Sequence, residues 1–193
     1  MNLPDKIYFE SASGGKEFDL TAVHAEQGNI FLNGDITTNT ALRFASIMKY
    51  LQSKGKEVTI YLNSPGGEVT AGLMIYDIIR SYPYELKIVC TGLAASMGAI
   101  ILAGGRKGKR FILPHSKVMI HEPLISNGFG GSATTIKQNA QIILDVKRCL
   151  NEILANHTGK SLEEIDKATA FDNYMTAEEA VDFGICDAIG NIY

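Results

Sequence analysis

Cysteine is scarce in this chain. Its 193 residues include only Cys90, Cys149 and Cys186, an odd, widely spaced set without a C-x-x-C pair. That set excludes a disulfide framework, offers no zinc-ligand spacing and fits a reducing compartment, so the cytoplasm is the expected location. Cys90 and Cys186 lie in apolar, strand-like runs and are expected as small core residues. Long apolar runs are missing too: no stretch reaches the ~18 residues of a membrane span. The opening Met1-Asn2-Leu3-Pro4-Asp5-Lys6 lacks the cationic-then-apolar pattern of a signal peptide. Neither sign of charge dominates, since 18 Lys and Arg stand against 21 Asp and Glu for a net −3. Nucleic acid and membrane are therefore not expected partners. The one basic run, Arg106-Lys107-Gly108-Lys109-Arg110, reads as a solvated turn, with an acidic partner or a subunit contact as the alternative. There is no G-x-x-x-x-G-K-[ST] phosphate loop, no low-complexity tract and no internal repeat.

What is present is an alternation of strand and helix signals. Residues 1–26 are polar, with Ser11-Ala12-Ser13-Gly14-Gly15 at their centre, and read as an irregular arm. From 27 onward a single domain is expected. Asn29–Leu32 and Val58–Leu62 read as strands. The span from Thr38 to Ser53 has apolar residues at helical spacing, with Gly55 as a stop. Val69 to Arg80 reads as a helix ended by Ser81-Tyr82-Pro83. The strand Leu86–Cys90 precedes a helix from Ser96 to Ala103. Short strands are expected at Arg110–Leu113 and Val118–Ile120. A glycine-rich segment, 127–131, leads into a long helix from about Ala133 to His157. At about 25 residues that helix would span roughly 37 Å, so part of it should project from a small domain. Ser161-Leu162-Glu163-Glu164 and Thr176-Ala177-Glu178-Glu179 are capping boxes that open short helices, and Ile185–Ile189 reads as a last strand. The pattern implies an α/β fold with largely parallel pairing.

The chemistry centres on Leu93-Ala94-Ala95-Ser96-Met97-Gly98-Ala99. One hydroxyl stands among residues with almost no side chain, between a strand and a helix start where N–H groups favour developing negative charge. Such a serine becomes a nucleophile only with a base. His24 falls in the arm, His115 in a turn, and His157 at the end of the long helix, where a capping role suffices. His121 ends an apolar strand and can face the rim of a sheet, so it is the candidate base. An orienting carboxylate is needed next. Asp145 and Asp182 fall on helices, Asp166 in the short helix 161–169 and Asp187 in the last strand. Asp172 lies in the loop Ala170-Phe171-Asp172-Asn173-Tyr174, where catalytic groups are more common; capping a turn is the alternative. Asn63-Ser64-Pro65-Gly66-Gly67-Glu68 directly follows a strand. It is either an ordinary Pro-Gly turn or a site whose N–H groups bind an anion.

In order, Asn63-Ser64-Pro65-Gly66-Gly67, Ala71-Gly72-Leu73-Met74-Ile75-Tyr76-Asp77, Ala94-Ala95-Ser96-Met97-Gly98-Ala99, Gly108-Lys109-Arg110-Phe111 and Met119-Ile120-His121-Glu122-Pro123 closely resemble the proteolytic subunit of the Clp protease, the ClpP family. The resemblance covers about residues 28–189. It implies a crotonase-like α/β fold with a projecting handle over about 123–157. It implies Ser96 as nucleophile, His121 as general base, Asp172 as orienting acid, and the backbone N–H groups of Gly67 and Met97 as oxyanion hole. No metal and no bound organic cofactor is implied. The implied partners are further copies of the chain in two stacked heptameric rings, unfolded polypeptide substrates, and a hexameric ATP-driven unfoldase of the ClpX, ClpA or ClpC type, which uses the ATP. Phe171 stands where many relatives carry an Arg used between rings, and Thr59 where a Tyr is common in the unfoldase-docking pocket. These departures raise an alternative, a paralogue that assembles or acts only with a second ring subunit. A further alternative is an acyl-CoA enzyme of the same fold, which would not need Ser96 and His121 together.

Overall fold

In a computed structural model, residues 5–11, 14–124 and 130–190 are described. The chain opens with a hairpin, β1 (Lys6–Ser11) and β2 (Gly14–Asp19), paired antiparallel from Lys6↔Asp19 to Ser11↔Gly14. Helix α1 (Leu20–Glu26) follows, its N-terminus capped by the Asp19 carboxylate. Within the segment expected to be irregular, the described residues form a hairpin and a helix. Every residue of β2 is exposed, so the hairpin has no apolar alternation to read; its cross-strand hydrogen bonds define it instead.

The body is a seven-stranded sheet with helices against it. Its elements are β3 (Asn29–Asn33), α2 (Thr38–Ser53), β4 (Val58–Ser64), α3 (Val69–Ser81), β5 (Leu86–Ala95), α4 (Met97–Ala103), β6 (Arg110–Ile112), β7 (Lys117–Ile120), α5 (Ala133–Thr158), α6 (Leu162–Thr169), β8 (Asn173–Met175), α7 (Ala177–Phe183) and β9 (Ala188–Ile189). The strands run β3-β4-β5-β6-β9, and β7 and β8 branch from β5. All pairings are parallel except β7 with β8. The α/β class holds, and both capping boxes form as expected.

Strand β5 is longer than its apolar run. Its first half pairs with β6 (Ile88↔Arg110 to Cys90↔Ile112), and its second half with β7 (Leu93↔Lys117 to Ala95↔Met119). Its last residues have small side chains and weak strand propensity, so tertiary pairing rather than local preference extends the strand to the residue before Ser96. Helix α4 is buried at every position. Cys90 and Cys186 are buried, and burial pushes their thiols up to about 11 and about 12, as befits inert core residues. Helix α5 has 26 residues, about 39 Å at 1.5 Å per residue. Its fully buried positions, Leu150, Asn151 and Leu154, all lie in its C-terminal half. The N-terminal half stands out from the body, as a handle would. Of the glycine-rich segment 127–131, residues 127–129 lie outside the described residues.

The basic run is not simply a solvated turn. Arg110 is buried, and its guanidinium forms a forked pair with the Asp187 carboxylate while also reaching the carbonyls of Ala103 and His157. Arg106 donates to the Tyr82 carbonyl at 2.6 Å, and Lys109 pairs with Glu85. No helix among the described residues is long and apolar enough to cross a membrane.

Candidate active site

Ser96 is the one residue between the end of β5 and the start of α4. Here the change from strand to helix falls on a strained backbone angle. Ser96 has φ 53° and ψ −120°, the only positive φ at a non-glycine position among the described residues. Such a conformation costs on the order of 1–3 kcal/mol and persists where the surroundings impose it. They do so here: Ser96 N–H donates to Met119 O at 2.8 Å, and Ser96 O accepts from Ala99 and Ile100 N–H at 3.0 and 3.3 Å.

His121 follows the last residue of β7, the strand paired with the end of β5. Its Nε2 lies 2.9 Å from Ser96 Oγ. Asp172 immediately precedes β8, which runs antiparallel to β7 with Ile120 opposite Asn173. His121 and Asp172 each lie one residue beyond that last pair, and Asp172 Oδ1 lies 3.1 Å from His121 Nδ1. An ionised carboxylate only accepts, so Nδ1 carries the proton; in the neutral ring Nε2 is then the acceptor for the serine hydroxyl. The Asp172 side chain is 60% exposed and that of His121 14%.

The turn after β4 completes the site. Ile36 N–H donates to Gly66 O, and Glu68 N–H donates to Ile36 O, both at 2.8 Å. Backbone groups alternate sides along extended chain, so the N–H of Gly67 points away from Ile36. Among the described residues, neither the Gly67 nor the Met97 N–H has a hydrogen-bond partner. Both residues line a cleft of about 400 Å³ with Ser96 and His121. Apolar side chains supply most of its wall, including Val69, Ile100, Ile120, Leu124 and Leu154.

The structure thus brings Ser96, His121, Asp172, Gly67 and Met97 together, and it places the other candidates elsewhere. His157 Nε2 lies 2.8 Å from the Tyr76 hydroxyl, and burial, then Arg80 and Arg110, push its pKa down to about 4. His24 packs edge-on against Phe31, and His115 is exposed. Asp187 serves Arg110, Asp145 accepts from Gln141, and Asp166 pairs with Lys147. No group of three His, Cys, Asp or Glu among the described residues is arranged to hold a metal ion.

Two further residues support the site. A β-carbon on Gly66 would stand 2.7 Å from Ser96 Cβ and 2.8 Å from Ala95 O, so only glycine lets the turn pass the serine. Glu68 accepts from both N–H and Oγ1 of Thr38, at 3.0 and 2.7 Å, and ties the turn to the start of α2. The Pro-Gly spacing hints at the first; nothing local announces the second. The family model for Clp protease matches residues 12–192, nearly the whole chain. The protein belongs to the Clp protease family.

Proposed function

We propose that this chain is the serine endopeptidase subunit of a compartmentalised, ATP-dependent protease that cuts unfolded polypeptides into short peptides. The observation that carries this is the run of contacts from Ser96 Oγ to His121 Nε2 at 2.9 Å and from His121 Nδ1 to Asp172 at 3.1 Å, beside two unpartnered N–H groups. His121 takes the hydroxyl proton as Ser96 Oγ attacks the scissile carbonyl carbon. The oxyanion is held by the N–H groups of Gly67 and Met97. His121, now an imidazolium stabilised by Asp172, gives its proton to the leaving amine as the C–N bond breaks. Water, deprotonated by the same ring, then releases the acyl group from Ser96. The apolar cleft wall suits an apolar side chain next to the cut. No step needs a metal or an organic cofactor; ATP is used by the partner unfoldase. Family membership supports stacked rings of this chain and an unfoldase partner. Ser96→Ala should abolish turnover of a fluorogenic peptide while leaving sedimentation unchanged; undiminished turnover would refute the assignment.

One observation favours a second reading, a paralogue that depends on another ring subunit. Phe171, beside Asp172, is 86% exposed, an apolar surface where many relatives use Arg between rings. A purified chain that sediments as a double ring and hydrolyses peptide unaided excludes it.

A further inference from the structure

We propose that Lys147 is a positioning residue, holding the segment that carries His121 against the segment that carries Asp172. It rests on the roles proposed for those two side chains. Lys147 lies on α5, and its Nζ sits between two carboxylates, 3.0 Å from Glu122 Oε2 and 2.8 Å from Asp166 Oδ1. Glu122 is the residue next to His121. Asp166 lies on α6, the helix that leads through Thr169 into the Asp172 loop. Both carboxylates raise the pKa of the ammonium, Asp166 more than Glu122.

Two further contacts close the circuit. Glu122 N–H donates to Thr169 O at 2.7 Å, and Asn151 Nδ2 donates to the same Asp166 oxygen at 3.3 Å. Thr169 and Asn151 are buried, and Asn151 also lines the cleft. The His121 and Asp172 segments are 51 residues apart in sequence, and near the site they share one short ladder and the Glu122–Thr169 hydrogen bond. β8 has three residues, and Asp172 lies outside it with an exposed side chain. The two arms of Lys147 add a cross-link outside that ladder. It ties both segments to α5.

Lys147→Met keeps the aliphatic stem and removes both ion pairs. Slackening the His121–Asp172 contact by a fraction of an ångström should lower kcat for a fluorogenic peptide about 10- to 100-fold, with KM within about twofold, because the cleft wall is untouched. Lys147→Arg, which can still reach both carboxylates, should restore kcat to within about threefold of wild type. Lys167→Met removes an exposed pair with Glu163 on the same α6 and should leave kcat unchanged. Glu122→Gln and Asp166→Asn cut one arm each and should give intermediate losses, which keeps the proposal testable if Lys147→Met does not fold. It is overturned if kcat of a folded Lys147→Met, or of both single-arm variants, stays within twofold of wild type, or if activity is lost only together with assembly. Ser96→Ala run alongside separates the two ideas: undiminished turnover there removes the catalytic roles themselves, whereas an inactive Ser96→Ala with a fully active Lys147→Met removes only the positioning role.

Discussion

Gly66→Ala tests the oxyanion site without replacing a reacting group. Gly66 has φ +100°, and an added β-carbon would lie 2.7 Å from Ser96 Cβ, 2.8 Å from Ala95 O and 3.2 Å from Met97 N. None of these atoms is the free end of a flexible side chain, so the turn itself must retreat. Relief to ordinary contact near 3.5 Å requires a shift of about 0.5–1 Å. Gly67 is the next residue, and its orientation depends on the bonds that Gly66 and Glu68 make to Ile36. Losing one oxyanion donor costs about 2.7–4 kcal/mol in the transition state, or about 10²–10³ in kcat. The substituted residue also carries about 1–3 kcal/mol of backbone strain, which lowers the melting temperature separately. Steady-state hydrolysis of a fluorogenic peptide, with melting and sedimentation on the same preparation, should give kcat at least about 100-fold down and KM changed only slightly. A folded, assembled Gly66→Ala enzyme with kcat within fivefold of wild type would refute the placement of the oxyanion at this turn.

Two further outcomes concern stability. The Arg110 and Asp187 side chains are 4% and 13% exposed, so Arg110→Met leaves a largely desolvated carboxylate with only the N–H groups of Gly108 and residue 110. The loss should be about 3–5 kcal/mol, or about 10 °C in melting temperature; a drop below 3 °C contradicts the buried pair. His157 is depressed to about 4 in the folded protein. The unfolded chain therefore binds the extra proton first, and stability falls as pH drops from about 6.5 toward 4. With the ring only half-buried, the loss between pH 7 and 5 should be about 1–2 kcal/mol in denaturant melts. His157→Gln should remove that part of the pH dependence; an unchanged slope contradicts it.

The helices were legible because their apolar positions recur at helical spacing and their ends carry caps, as at Ser161 and Thr176. The hairpin over residues 6–19 was not, because β2 buries nothing and has no pattern to leave. The burial of Arg110 was hidden as well, since its partner Asp187 lies 77 residues away. At the site, Ser96 is announced by its small neighbours, and His121 by its place at a strand end. Asp172 is a weaker signal: one loop aspartate among several, brought to His121 by the β7–β8 register. Lys147 has no local signature, because its meaning comes from two carboxylates on different segments.

The central claim is that Ser96 is the nucleophile. Reaction with a fluorophosphonate, followed by peptide mapping and parallel turnover measurements, tests it most directly. The expected result is a covalent adduct on Ser96, with activity lost in proportion to labelling and no adduct on Ser96→Ala. Labelling at another residue, or full turnover by a completely labelled protein, would contradict it.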